Sequence, residues 1–300
     1  MVLLPFAADW LVRGSTSLAR RLGMSELVIG LTIVALGTSA PELVTGVAGA
    51  LRGAPGIVLG NAVGSNIANL GLVLGAGALF GRIPVKPRLV WFDGLLMLGI
   101  TMLAWWLAFD GLVSRLDGAM LIILLAGLTW WTIRRGGVPT EEAAASEEAV
   151  DATWKIILLL LVGITGLAFG ADILVKGATA LAQQFGVSDT LIGATIVALG
   201  TSLPELAASF AALNRHRYGI MLGNLVGSCQ FNLMAIVGVP ATIIPLKVSD
   251  SMLSMHLPAL AVVSVVAWFT LWTLGMVTRR EGALLMGLYI IYIILTLFAS

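Results

Sequence analysis

The sequence predicts an all-α polytopic membrane protein, with ten transmembrane helices in two inverted five-helix repeats. Three observations carry that prediction. The 300 residues are 59% hydrophobic and 11% charged, with a mean hydropathy of +1.01, whereas soluble domains carry roughly a quarter charged residues. Apolar runs recur at close to the length of a bilayer span, as in LLMLGITMLAWWLAF at 95–109. The chain also repeats itself at an offset of 163 residues: VIGLTIVALGTSAPEL at 28–43 returns as LIGATIVALGTSLPEL at 191–206.

Apolar runs and their breaks place the helices at 1–20, 26–51, 57–80, 90–109, 115–133, 154–182, 189–213, 218–243, 253–275 and 282–298. Helix one is the odd one. About 17 residues separate Lys155 from Asp172 in its counterpart, but only eight precede Asp9. It is therefore expected to be short or tilted, or the chain to start upstream of Met1. No cleavable signal peptide is read at this end. The run RRGGVPTEEAAASEEAVDA at 134–152 is the one long polar stretch. It separates a first repeat at 1–133 and a second at 154–300 by an acidic cytoplasmic linker at 134–153. Its acids Glu141, Glu142, Glu147, Glu148 and Asp151 lack the spacing of an EF-hand loop and read as solvated.

Charge orients the helices. Connections on the linker's side hold twelve basic residues: Arg20, Arg21, Arg82, Lys86, Arg88, Arg134, Arg135, Lys155, Arg215, Arg217, Arg279 and Arg280. The opposite side holds three, Arg52, Arg115 and Lys247. The basic side faces the cytoplasm, so both termini are expected outside. An odd number of helices per half makes the second half enter from the opposite side. Trp105, Trp106, Trp130 and Trp131 fall near helix ends and read as interfacial anchors. Cys229 is the one cysteine and has no disulfide partner within the chain.

Three blocks match at the one offset without a gap. DWLVRG at 9–14 matches DILVKG at 172–177, GTSAPEL at 37–43 matches GTSLPEL at 200–206, and GNAVGSNIAN at 60–69 matches GNLVGSCQFN at 223–232. Glu42 and Glu205 lie inside apolar segments, where a carboxylate is costly and points to function. Pro41 and Pro204 lack an amide hydrogen and are expected to release the carbonyls of Gly37 and Gly200. Such carbonyls need another partner at membrane depth, and a cation is one. Thr38, Ser39 and Glu42, with Thr201, Ser202 and Glu205, offer hard oxygens suited to Ca²⁺ or Na⁺. Ser65 and Asn69, like Ser228 and Asn232, are four apart and share a helix face. Gly60, Gly64, Gly223 and Gly227 have the spacing of packing seams. His216 and His256 are isolated and are not read as ligands. If the two glutamates sit near each other, one Ca²⁺, two Na⁺ or two protons neutralise them.

These paired motifs resemble the alpha repeats of the calcium/cation antiporter superfamily, in its microbial sodium/calcium exchanger branch. The resemblance runs from Asp9 to the last helix. It implies ten helices in two inverted halves, with helices two, three, seven and eight building the ion site and helices one and six sliding against the rest. It implies secondary antiport of Ca²⁺ against Na⁺, or H⁺ in some branches, without an enzyme activity, a cofactor or nucleotide. Carried over by position, Glu42 and Glu205 chelate calcium. Thr38, Ser39, Thr201 and Ser202 give oxygens to calcium or sodium, Ser65 and Ser228 serve sodium, and Asn69 and Asn232 face the centre. Many sodium-coupled members have an aspartate at one of the last two positions; this chain has asparagine at both. It also has Cys229 and Gln230 where the first block has Asn66 and Ile67. The expected location is a prokaryotic plasma (inner) membrane. The expected partners are the lipid bilayer and small cations, with no nucleic acid and no obligate protein partner.

Overall fold

The computed structural model describes residues 3–87, 89–136, 151–185, 198–272 and 275–299. Helix α1 is Leu3–Leu22, α2 is Glu26–Thr38, α3 is Ala40–Leu51, α4 is Pro55–Phe80, α5 is Trp91–Ala108 and α6 is Arg115–Arg135. Then come α7 Thr153–Gln184, α8 Ala198–Thr201, α9 Leu203–Asn214, α10 Tyr218–Ile243, α11 Met252–Trp272 and α12 Arg279–Ala299. Four two-residue strands, β1 Ile83–Pro84, β2 Leu112–Val113, β3 Leu246–Lys247 and β4 Met276–Val277, lie in the connections. Most of the expected linker and the start of the expected helix at 189–213 lie outside the described residues.

Seven of the described helices are long and apolar enough to cross a membrane, and α2 with α3 makes an eighth span if counted as one broken helix. α1 is not among them, because its polar residues lower its hydropathy, yet its 20 residues reach about 30 Å at 1.5 Å each. Large apolar side chains such as Leu116, Ile123, Trp154, Phe169 and Ile291 are exposed, as lipid-facing positions are in a multi-pass membrane protein. The end of α6 carries two of the expected anchors. Arg134 stacks over Trp130 at 4.7 Å and Arg135 over Trp131 at 4.1 Å, so ring and charge share one helix end.

The chain forms two compact units, Met1–Ser39 with Leu128–Ser228, and Ala40–Gly127 with Cys229–Ser300. Each draws on both halves of the sequence. In the first unit, α1 packs antiparallel on α7. A Cβ on Gly14 would meet Leu159, one on Gly163 would stand 2.8 Å from the Leu11 nitrogen, and one on Gly170 would meet Leu4. α2 lies parallel to the first half of α10, with Gly30 against Gly223 and Gly227 against Leu31. This realises the seam expected at Gly223 and Gly227. Gly60 and Gly64 meet no close neighbour among the described residues. Ser25 caps α2, its Oγ accepting from the Val28 amide. The adjacent Glu26 pairs with Arg217 at 3.1 Å, with 9% and 20% of the two side chains exposed. Removing one partner of a buried pair leaves the other charge uncompensated. Glu26→Gln should therefore lower stability by about 1–3 kcal/mol, read as a drop in melting temperature of the purified protein; an unchanged Tm would mean the pair is idle.

In the second unit the repeat shows in the contacts themselves. Gly75 of α4 packs on Gly282 of α12, and its counterpart Gly238 of α10 packs on Gly118 of α6. β1 pairs antiparallel with β4, Ile83 opposite Val277, and β2 pairs with β3, Leu112 opposite Lys247. The first ladder joins the start of α5 to the end of α11, and the second joins the end of α5 to the start of α11. α5 and α11 are repeat counterparts and therefore run antiparallel, as α1 and α7 do in the first unit.

Wide π-helical turns also recur with the repeat. One pair is Ala68–Val73 and Asn232–Ile236, another is Leu89–Gly94 and Met252–His256, and Gly30–Val34 forms one more. Short π turns inside α-helices are frequent at functional positions, and Asn69 and Asn232 both lie in one.

Candidate functional site

Each GTS-PEL motif breaks its helix at the serine. Ser39 has φ −88° and ψ 5°, and Ser202 has φ −89° and ψ 5°. The expected break at the prolines is thus displaced. Pro41 and Pro204 occupy the second position of the helices that follow, α3 and α9. First-turn amides have no acceptor within the helix, so a proline there forfeits no hydrogen bond. The break has a second consequence. Glu42 and Glu205 fall in the first turn of α3 and α9, where the positive end of the helix dipole favours a carboxylate.

In the first unit, Thr38, Ser39, Ser202, Glu205 and Ser228 are all buried, and Thr201 is half-buried at the end of α8. The Ser39 hydroxyl donates to Glu205 Oε1 at 2.9 Å. The second carboxylate oxygen, Oε2, and the Ser202 hydroxyl are buried without a hydrogen-bond partner among the described residues. Thr38 donates to Asn224 Oδ1 at 3.1 Å and lies 3.5 Å from the Ser228 hydroxyl. Asn224 Nδ2 in turn reaches Ser209 at 3.4 Å. One carboxylate, a ring of hydroxyls and an amide thus converge at the break.

In the second unit, Glu42, Ser65, Asn69 and Asn232 are buried. The Glu42 carbonyl accepts from Asn61 Nδ2 at 3.1 Å, which holds α3 against α4 at the carboxylate's own residue. Ser65 Oγ and both side-chain polar atoms of Asn69 and of Asn232 are buried without a hydrogen-bond partner among the described residues. Each such atom costs roughly 1–3 kcal/mol unless something satisfies it. Among the described residues no three His, Cys, Asp or Glu cluster as a metal centre would require. The donors are lone carboxylates with hydroxyl and amide oxygens, a hard set suited to Na⁺ and Ca²⁺ rather than to zinc or copper.

Asn66 Nδ2 donates to the carbonyl of Cys229 at 3.0 Å. The two are repeat counterparts, so they meet where the repeats are related to each other. The acceptor is the backbone carbonyl, so this contact does not depend on the side chain at 229. Gln230 turns instead toward α5, its Nε2 3.4 Å from the carbonyl of the buried Asp93. Sequence reasoning passed over Asn61 and Asn224 and gave Asn66 no role. The signal was available, since Asn61 and Asn224 are identical second residues of the matched GNAVGSNIAN and GNLVGSCQFN blocks.

The sequence profile described as sodium/calcium exchanger protein matches residues 1–134 and 155–298. The chain belongs to the sodium/calcium exchanger family. Within it, the chain is 37% identical over 299 residues to an uncharacterized membrane protein of Methanocaldococcus jannaschii, covering 98% of this chain and 94% of that one. It is 29% identical to the sodium/calcium exchanger MaX1 of Methanosarcina acetivorans, covering 98% and 95%. Among solved structures, the sodium-calcium exchanger NCX_Mj, soaked with Na⁺ and Ca²⁺, superposes with a TM-score of 0.85 at 35% identity, over 97% of this chain and 94% of that one. As a member of the sodium/calcium exchanger family, the protein is a membrane transporter and not an enzyme.

Proposed function

We propose that the protein is a secondary antiporter that exchanges Ca²⁺ for Na⁺ across a prokaryotic plasma membrane by alternating access. The observation that carries this reading is the set of unsatisfied buried oxygens. Ser65, Asn69, Ser202, Glu205 and Asn232 present such atoms; Ser202 and Glu205 lie at a helix break, Asn69 and Asn232 in π turns, and Ser65 one helical turn before Asn69. Thr38, Ser39, Glu42, Thr201 and Ser228 complete the proposed ligand set. Each repeat supplies one glutamate, and two carboxylates balance the charge of one Ca²⁺ or two Na⁺. The ions compete for the same carboxylates, so each displaces the other. An ionised carboxylate without its cation resists burial in a dry environment, which suppresses movement without cargo.

The ten-helix, inverted arrangement belongs to this reading. The eight described spans, with α2 and α3 counted as one, together with α1 and the partly described segment at 189–213, give ten. The antiparallel course of the counterparts α1 and α7, and of α5 and α11, supports inversion. In the second unit the β1–β4 end carries Arg82, Lys86, Arg279 and Arg280, against Arg115 and Lys247 at the β2–β3 end. The richer end is read as cytoplasmic by charge bias, which supports a C-terminus outside; the proposed inversion puts the N-terminus there too.

Competition is the direct test. Calorimetric titration of Ca²⁺ into the purified protein should show an apparent affinity that weakens as Na⁺ rises at constant ionic strength. An affinity indifferent to Na⁺ but weakened by falling pH would move the protein to proton coupling, the second reading favoured by asparagine at both 69 and 232. The Asn232 position gives a sharper probe. Asn232→Asp adds a carboxylate to a buried site with free valence. It should change apparent cation affinity by at least about tenfold and alter the sodium or pH dependence of flux; an unchanged profile would remove Asn232 from the ion site.

A further inference from the structure

A second site lies in the second unit, at the end where α4 leads into β1 and β4 leads into α12. Gly75 against Gly282 sets the end of α4 beside the first turn of α12, and the pairing of Ile83 with Val277 ties the connections together. A cleft of about 530 Å³ opens there, lined by Gly81, Arg82, Thr278, Arg279 and Arg280. The three arginines are exposed and make no hydrogen bond or ion pair among the described residues. No carboxylate is among the described residues that line the cleft. Glu281, next along α12, is engaged with Thr278: its Oε2 accepts from the Thr278 amide at 2.7 Å and from the Thr278 hydroxyl at 2.9 Å. Three positive charges around one cleft repel one another, and an anion between them offsets that repulsion.

The repeat holds an internal control. GLVSRLDG at 111–118 matches GMVTRREG at 275–282, and the β2–β3 ladder is the counterpart of the β1–β4 ladder. The backbone scaffold is the same at both ends: Asp117 Oδ2 accepts from the Ser114 amide at 2.8 Å, as Glu281 does from that of Thr278. The charges differ. Leu116 stands where α12 has Arg280, and Pro245 stands where the cleft has Arg82. Arg115, the counterpart of Arg279, donates to the carbonyl of Ile243, the last residue of α10, at 3.1 Å. One arginine bonded to the protein thus suffices for this scaffold, and the cleft carries three that are not so bonded.

The surroundings of the cleft select the anion. α4 and α12 are long and apolar enough to cross a membrane, so the cleft at their ends stands at the membrane–water boundary. On the α5 and α11 side of the same ladder, Trp91 and Trp272 are exposed and meet edge to face at 5.7 Å, with Phe269 5.6 Å from Trp272. Exposed tryptophans mark headgroup depth. Clustered guanidiniums are the donor set for phosphate oxygens, and basic pockets between membrane helices on the cytoplasmic side bind anionic headgroups.

We infer that this cleft binds the phosphate of an anionic phospholipid headgroup, with Arg82, Arg279 and Arg280 as its donors. The test uses the purified full chain in neutral detergent and follows unfolding by circular dichroism, a readout independent of ion exchange. Dioctanoyl phosphatidylglycerol should raise the melting midpoint, and the matching phosphatidylcholine should not. Joint Arg279→Gln and Arg280→Gln substitution should raise the half-saturating concentration at least about tenfold. Arg82→Gln, from the other wall of the cleft, should weaken binding in the same direction. Arg52→Gln with Lys247→Gln, a charge-matched change elsewhere in the same unit, should leave the half-saturating concentration within about twofold. All five side chains are exposed, and the lipid-free midpoint of each variant, read on the same preparation, separates lost binding from lost fold. Inorganic phosphate at matched ionic strength should leave the midpoint unchanged; a shift equal to the lipid's and dependent on the same arginines would assign a soluble anion and overturn the headgroup. No shift with phosphatidylglycerol, or equal weakening by the cleft pair and the control pair, overturns the site.

Discussion

Glu205→Gln should abolish calcium exchange, reducing flux at least about 100-fold while the protein still folds. The magnitude follows from removing one carboxylate of a desolvated cation site, an effect of about 3–5 kcal/mol where the partner charge is left uncompensated. Glutamine keeps the shape of the side chain, and its amide oxygen still accepts from Ser39, which bonds Glu205 Oε1 at 2.9 Å. What is lost is the charge and the second, unsatisfied oxygen. Removing a buried charge in the absence of cargo relieves desolvation, so the cation-free variant should melt at or above the wild-type temperature. Glu42→Gln should behave alike, because the Asn61 contact at that residue is to the backbone carbonyl and survives the change. Flux and melting temperature measured on the same preparation separate this outcome from misfolding. Wild-type flux in either variant would remove that carboxylate from the site.

The second large effect is on assembly of the helices. Gly223→Ala should destabilise the protein by about 1–3 kcal/mol, although alanine is intrinsically the better helix former by up to about 1 kcal/mol. The sign is decided by space. A Cβ at Gly223 would stand 2.5 Å from the Leu27 carbonyl oxygen, 2.9 Å from the Gly30 Cα and 2.9 Å from the Leu31 nitrogen. All three are backbone atoms and cannot swing aside, so α2 and the first half of α10 must separate. That separation would draw Thr38 away from Asn224 and Ser228, and the loss should reach the ion site. Gly99 is the control, since it is exposed and a Cβ there meets nothing within 4 Å among the described residues. Gly99→Ala should leave the melting temperature unchanged or raise it. Equal behaviour of the two variants would show that close backbone approach does not hold this helix pair.

The sequence made helix positions and the candidate residues legible for a simple reason. A membrane span is marked by apolar length, and a buried carboxylate stands out against it. The observed α10 at Tyr218–Ile243 coincides with the expected span. Local backbone geometry was harder to read. The helix break falls on Ser39 and Ser202 rather than on the prolines, because proline is well tolerated in the first turn of a helix and the interruption belongs to the residues before it. The π turns at Asn69 and Asn232 carry no composition signal, since they differ from α-helix only in hydrogen-bond register. The roles of Asn61, Asn66 and Asn224 depend on which helices touch, and no periodicity encodes that. The division into two units, each drawn from both repeats, was equally hidden, because duplication marks ancestry along the chain and packing decides what it lies against.

The most direct test of exchange is ⁴⁵Ca²⁺ uptake into proteoliposomes loaded with Na⁺, with pH clamped equally on both sides and choline-loaded vesicles as the control. The account predicts uptake that requires internal Na⁺ and disappears in Glu42→Gln and Glu205→Gln. Equal uptake in sodium-loaded and choline-loaded vesicles would contradict sodium/calcium exchange, and its activation by a proton gradient would assign the counter-ion as H⁺.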